Sequence, residues 1–340
     1  AASAAPAADL GLQEAVRRSV ERNAVLRAEN SAVTGARHQA ELDGLAPALT
    51  VGTELENLAG TGDLSGTQGV ETTLRLGRVI ELGGKQSARQ SLGAAQVGRQ
   101  LNVAEQRRLD LAADVAHRFI AVVSTQAVLD LAEQGLALAR SSRSAIADRV
   151  ARGRSPTADL DLADLAVIRS ELDQEDATHE LASARVALSV LWGETQPGFE
   201  RAAGQLEDLP RVATFEALAD RLPSTPDQQA FALERGQIEA QQRVASAAAR
   251  PDLHTTIGVR HLESIDDQAL VFSLSMPLGA SKRSSLARDK LKAEAERLDA
   301  RQALTSLDAY QLLFARYQEL EHARHEVETL RGRMIPLAER

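Results

Sequence analysis

From Leu49 the chain alternates apolar and polar residues with a period of two, placing Leu49, Val51, Thr53 and Leu55 on one side and Thr50, Gly52, Glu54 and Glu56 on the other. That spacing predicts a strand with one apolar face. After a loop-forming segment, LAGTGDLSGTQG at 58–69, the alternation resumes with Val70, Thr72, Leu74 and Leu76 opposite Glu71, Thr73 and Arg75. A second pair follows far downstream. Leu253, Thr255, Ile257 and Val259 oppose His254, Thr256 and Arg260, and Leu270, Phe272, Leu274 and Met276 oppose Ser273 and Ser275. Strands are therefore predicted at about 48–57, 69–81, 252–262 and 268–278. Each has roughly the 9 to 11 residues that cross a bilayer at a tilt.

Elsewhere the apolar positions recur every three to four residues, the period of helices. Residues 9–45 form one helix, broken near Asn23 and stopped by Pro47. No proline interrupts Lys85 to Ala151, where Leu92, Leu101, Leu111, Val115, Phe119, Val122 and Leu129 mark a continuous helix of about 100 Å at 1.5 Å per residue. It ends in ARGRSPTADLD, with Gly153 as C-cap, Ser155 as N-cap and Pro156 as first helical residue. A returning helix runs from Thr157 to about Trp192, and helix resumes from Pro226 to Ala249 and from Ser281 to the end. Between these, 193–225 holds Pro197, Pro210 and Pro223 and reads as irregular.

The chain is written twice. LAPALTVGTELEN at 45–57 returns as ARPDLHTTIGVRHLE at 249–263, and TLRLGRVIELGGKQSAR at 73–89 returns as SLSMPLGASKRSSLAR at 273–288. Residues 1–192 are the first repeat, 193–225 the linker and 226–340 the second repeat. The second copy stops at Arg340, which falls opposite Ser144, so the counterpart of helix 156–192 is expected beyond this chain. The fold class is α+β, mainly long helices, as a tandem repeat of helix, two strands and a long helical hairpin. Four strands cannot close a barrel in lipid, because open edges leave backbone groups unpaired. A barrel must be shared among subunits.

Composition narrows the picture. Aromatic residues are only 3% against 44% hydrophobic overall, which fits long helices packed through Ala and Leu rather than a bulky core. A net charge of −9 opposes nucleic-acid binding. There is no cysteine, hence no disulfide, thiol nucleophile, Cys-based metal site or lipid-acceptor thiol within this chain. No apolar run approaches the ~20 residues of a membrane-spanning helix, so contact with a bilayer falls to the strands. The Ala-rich start, AASAAPAADL, is what signal-peptide cleavage or a trimmed chain would leave.

Candidate chemistry is sparse. His322 and His325, beside Glu321 and Glu326, have a spacing that could hold a metal, but a solvated helix face explains them better. His254 and His261 fall on opposite strand faces, Asp266 and Asp267 lie in a turn, and Gly83, Gly84 and Gly279 punctuate strand-to-helix junctions. Trp192 reads as a packing plug at a helix end. No acid, base and nucleophile assemble into a catalytic set, no metal site is expected, and no cofactor motif occurs. Asp159, Asp161 and Asp164 either complement a helix dipole or form a ring of negative charge at a pore, with Arg152 and Arg154 as neighbours. Keeping charge out of hydrocarbon turns Val70, Leu74, Leu76, Ile257, Phe272 and Leu274 outward and leaves Glu71, Arg75, His254 and Arg260 for the lumen.

Helix, Pro-strand, Gly loop, strand, Leu-Gly turn and helical hairpin, given twice, resembles the TolC-like outer membrane factors. Within them ELGGKQSAR and the tip RVARGRSPTADLDLADLA are most similar to the cobalt-zinc-cadmium branch. The resemblance covers essentially the whole chain. It implies a homotrimer sharing a 12-stranded β-barrel in outer-membrane lipid and a periplasmic α-helical barrel, with 193–225 as an equatorial linker. It also implies an inner-membrane efflux pump and a periplasmic adaptor as partners, no cofactor, and passive export, heavy-metal cations being the expected cargo. Export of drugs or secreted proteins and a periplasmic coiled-coil scaffold are the alternatives, and an enzyme is the least supported.

Overall fold

A computed structural model describes residues 9–67, 69–206 and 211–338. The first eight residues, Gln68 of the predicted loop and Pro210 of the predicted linker lie outside them. The chain divides into two compact units, one of Ala1–Ser31 and Val103–Val212, the other of Ala32–Asn102 and Ala213–Arg340. The elements in order are β1 (Leu10–Gly11), α1 (Leu12–Arg22), α2 (Ala24–Asp43), β2 (Thr50–Glu56), β3 (Glu71–Ile80), α3 (Lys85–Ala151), α4 (Thr157–Ser189), β4 (Ala202–Ala203), α5 (Phe215–Ala219), α6 (Pro226–Ala247), β5 (Leu253–Leu262), β6 (Asp267–Ser275), α7 (Ala280–Thr329) and α8 (Ile335–Ala338).

In the first unit, part of α3 packs with α1, α4 and the segment after it. The core is Leu10, Ala15, Val115, Phe119, Val122, Val123, Leu181, Leu188, Leu191, Trp192, Phe199 and Ala202. Trp192 is buried there against Phe199, ring centroids 6.3 Å apart. Asn23 explains the break between α1 and α2. Its side-chain oxygen accepts from Val25 N–H at 2.8 Å while its amide donates to the Leu191 carbonyl at 2.8 Å, so the residue starts one helix and ties it to the end of another.

The supposedly irregular 193–225 is more ordered than its prolines suggest. Ala202 and Ala203 form β4, parallel to β1. The buried Gln126 of α3 fixes β4 by donating to the Ala202 carbonyl at 3.2 Å and accepting from Ala202 N–H at 2.7 Å. A two-residue strand is too short to leave a periodic signal. Helix α5 occupies Phe215–Ala219, capped by the Thr214 hydroxyl.

In the second unit β2, β3, β5 and β6 form one antiparallel sheet in that order. The strands are one to three residues shorter than the alternation implies, and Val70 lies just outside β3. Phe231, Ile238 and Leu298 pack α6 on α7. Phe215 of α5 stacks edge-on against Tyr310, Phe314 and Tyr317 of α7, four of the chain's few aromatic rings. The final helix is not uniform as expected, since Leu330–Met334 winds as a π-helical turn around Gly332 before α8.

One stretch bears on the expectation that no apolar run is long enough to cross a membrane. An 18-residue stretch of α3 has mean hydropathy 1.3 and could cross a membrane by length and composition alone. No apolar run is continuous there. Closely spaced Val, Ala and Leu raise the average, and Val115, Phe119, Val122 and Val123 are spent on the core of the first unit.

Candidate functional site: a two-faced sheet and a helical hairpin tip

Directly paired residues of antiparallel strands share a face, so the register sorts every side chain. One face carries Val51, Leu76, Ile257 and Phe272 in one row and Thr53, Leu74, Val259 and Leu270 in the next, with Leu274 beside Thr255. These large apolar side chains are exposed, Phe272 at 69% and Leu270 at 81%. The opposite face carries Glu56, Glu71 and Leu262, then Glu54, Thr73 and Arg260, then Gly52, Arg75 and Gly258, with His254 further along beside Val79. Glu71, Arg75, His254 and Arg260 therefore share a face, away from Leu74, Leu76, Ile257, Phe272 and Leu274.

The charged face is cross-linked. Arg260 donates from Nε to Thr73 Oγ1 at 3.0 Å and from Nη1 to Glu71 Oε2 at 2.6 Å, and its Nη2 lies 2.6 Å from Glu56 Oε2. Asn57 Nδ2 donates to the other Glu71 oxygen at 3.3 Å. Arg75 pairs with Glu54 across the β2–β3 ladder. Two glycines, Gly52 and Gly258, flank Arg75, and a Cβ at Gly258 would meet the Leu74 carbonyl oxygen at 2.5 Å and Arg75 Cγ at 3.2 Å. His254 stands apart, exposed and without an ion pair among the described residues.

The second arrangement lies in the other unit, where α3 reverses into α4. Gly153 adopts φ +69° and donates to the Val150 carbonyl at 2.9 Å, while Arg154 N–H reaches the Arg149 carbonyl at 2.9 Å, closing the last turn of α3. The start of α4 differs from expectation by one residue. Pro156 has extended backbone and occupies the cap position, Thr157 is the first helical residue, and the Ser155 hydroxyl caps nothing. The Pro156 carbonyl, which accepts from Asp159 N–H at 3.2 Å, opens the helix instead.

The acids of the tip divide. Asp164 is held by Arg143 at 2.7 Å, and that hydrogen bond raises the guanidinium pKa. Arg152 is 3.4 Å from Asp148, within its own helix, and not beside Asp159 or Asp161. Asp159, Asp161 and Arg154 have no ion-pair partner among the described residues. Asp159 lines a groove of about 540 Å³ between the two helices, with Leu138, Ile146 and Leu162. Leu138, Leu162 and Leu165 of the hairpin are each more than 60% exposed.

Other candidates gain nothing. His322 and His325 are exposed, and no cluster of three or more His, Asp or Glu suited to a metal occurs among the described residues. Sequence reasoning missed Gln126 as the fixing point of β4 and the aromatic anchor of α5. Only the scarcity of aromatics, concentrated at Tyr310, Phe314 and Tyr317, could have hinted at the latter.

A duplicated pair of strands, apolar on one face and charged on the other, and a helix of 67 residues are the features that set this chain apart. The description of the outer membrane efflux protein family matches residues 15–194, and the chain belongs to that family. It is an outer-membrane protein with a periplasmic extension. The chain is 32% identical over 275 residues to the cobalt-zinc-cadmium resistance protein CzcC of Cupriavidus metallidurans, an alignment covering 79% of this chain and 64% of that protein. It thus spans less than two thirds of that relative. Among solved structures, a membrane protein from Pseudomonas aeruginosa matches with TM-score 0.75 and 21% identity, covering 94% of this chain and 78% of that one. CusC matches with TM-score 0.73 and 17% identity, covering 96% and 80%. These likenesses give the TolC-like fold.

Proposed function

We propose that this chain is one protomer of a passive exit duct in the outer membrane, assembled as a homotrimer and catalysing no reaction. The sheet carries the reading. Its edge strands β2 and β6 are open, its apolar face is exposed and its opposite face is charged. Three copies would pair the edges into a 12-stranded barrel with lipid outside and Glu71, Arg75, His254 and Arg260 on the water-filled side. Residues 1–192 and 226–340 act as two structural repeats joined by 193–225.

In the same reading the α3–α4 reversal is the periplasmic mouth. Gly153, Ser155 and Pro156 make the turn, Asp159 and Asp161 offer free carboxylates, and Arg152, Arg154 and Asp164 complete its charge. A periplasmic adaptor and an inner-membrane pump load the duct. Divalent heavy-metal cations are the cargo, supported by the identity to a cobalt-zinc-cadmium resistance protein and by the acidic tip.

The test takes the protein carrying this chain at the length of its relatives. Mass measurement in detergent should give three copies, and a detergent-free soluble monomer would overturn the duct. Deletion of the gene should raise sensitivity to cobalt, zinc or cadmium. Unchanged metal sensitivity with raised sensitivity to a drug would overturn the cargo and keep the duct.

A further inference from the structure

We infer that the strand-to-helix junction carries a binding belt for anionic phospholipid headgroups, an inference that rests on the sheet spanning the membrane. The chain as a whole is acidic, at −9. Yet Arg78, Arg243, Arg250, Lys282 and Arg283 are all exposed and have no ion pair among the described residues. Two acids of the same region are already committed, Glu81 to Arg89 at 2.5 Å and Asp252 to Lys85 at 2.7 Å, which leaves Glu239 against these five bases. Five unpaired positive charges thus lie where the strands end in an acidic protein.

Placement makes the belt a headgroup site rather than a dispersed surface charge. Arg78 is in the last turn of alternation of β3, on the same face as Leu74 and Leu76, and Arg250 directly precedes β5. Lys282 and Arg283 open α7 just after β6 and the fully projecting Leu278. Ser284 beside them donates to the Ala245 carbonyl of α6 at 2.7 Å, which brings these bases next to the α6 end that carries Arg243 and Arg250.

Between α6 and the start of α3 lies an open, polar cavity of about 680 Å³. Arg243, Arg250, Ser87, Ser91 and the Gly83–Gly84 backbone line it, with Glu239 as its one acid. Its two arginines and the first turn of α3 suit a phosphate, and the exposed apolar face of the sheet, which Arg78 shares with Leu74 and Leu76, suits acyl chains. An anionic glycerophospholipid satisfies both at once. Phosphate alone would leave the apolar rows without a partner.

The full-length trimer in phosphatidylcholine vesicles, probed with spin-labelled phosphatidylglycerol and spin-labelled phosphatidylcholine, tests this. Each basic side chain at an anionic surface is worth about a fivefold preference, so the wild type should select phosphatidylglycerol at least about fivefold. The variant R78Q/R243Q/R250Q/K282Q/R283Q should bring the ratio to about one, while R243K/R250K keeps it. Should the fivefold variant fail to assemble, R243Q/R250Q should still show a reduced ratio. A wild type that conducts ions but shows no lipid preference overturns the belt and leaves the duct standing, whereas failure to insert into vesicles at all overturns both. Retention of the preference in the glutamine variants also overturns it. So does its loss to millimolar inorganic phosphate at constant ionic strength, which would mark a free-anion site.

Discussion

At the scale of single residues, Arg260 holds the charged face together, with Thr73, Glu71 and Glu56 all within reach of one guanidinium. Removing it strands two carboxylates on a half-buried surface. Arg260→Met should destabilise the sheet by about 1–3 kcal/mol, read from denaturant unfolding, and adding Glu71→Gln should recover part of the loss. No change in either variant would mean the network is decorative. On the opposite face the proposed contact is with lipid. Leu74→Arg should cost roughly 2–4 kcal/mol if the position lies near the midplane, measured by folding into vesicles, and a neutral result would refute the assignment of faces. Which face each strand residue takes was legible, because parity is a local property of the chain. Which glutamate Arg260 would meet was not. That depends on β3 pairing with β5, a contact between residues 187 apart in sequence.

At the scale of elements, the hairpin tip shows what a turn residue does. Gly153 sits at φ +69° with nothing within 4 Å of where a Cβ would stand, so Gly153→Ala introduces backbone strain and no clash. It should cost about 1–2 kcal/mol in the thermal unfolding of the first unit. A larger loss would point to a partner at the tip. Gly153 as the stop of α3 was readable from sequence, whereas the start of α4 was misplaced by one residue because Pro156 is acceptable both at a first helical position and at an extended cap. The short β4 and α5 were invisible, since neither is long enough to show a period. Helix α1 adds a pH dependence. Hydrogen bonds from Arg18 and then Arg17 lower the Glu14 pKa below its ordinary 4.5. A depressed folded value means that the pairing stabilises fully above 4.5 and is lost as pH falls through the lower folded value. The melting-temperature gap between wild type and Glu14→Gln should therefore hold constant at neutral pH and close on acidification. A gap that widened on acidification would reverse the sign and refute the pairing.

At the scale of the whole molecule, the exposed leucines of the hairpin and the open strand edges are the same kind of fact, apolar or hydrogen-bonding surface that one chain leaves without a partner. In the proposed assembly such surface is satisfied by copy number rather than by a larger core. In the proposed trimer every charge at the tip would appear three times, and clefts lined by one sign of charge concentrate the opposite ion. Asp164 is spent on Arg143, and Arg152 turns back to Asp148, so Asp159 and Asp161 are the acids of the tip left without an ion pair among the described residues. Neutralising them by Asp159→Asn with Asp161→Asn should lower cation preference in planar-bilayer conductance while the trimer persists on native gels. A second outcome separates a different mechanism. If Arg154, which also has no ion pair among the described residues, closes the mouth by pairing with these carboxylates across subunits, the same substitutions should widen resting conductance, and Arg154→Gln should do so too. Reduced selectivity at unchanged conductance identifies a filter, raised conductance a latch. Constancy of both would reduce Asp159 and Asp161 to residues that merely complement the first turn of α4.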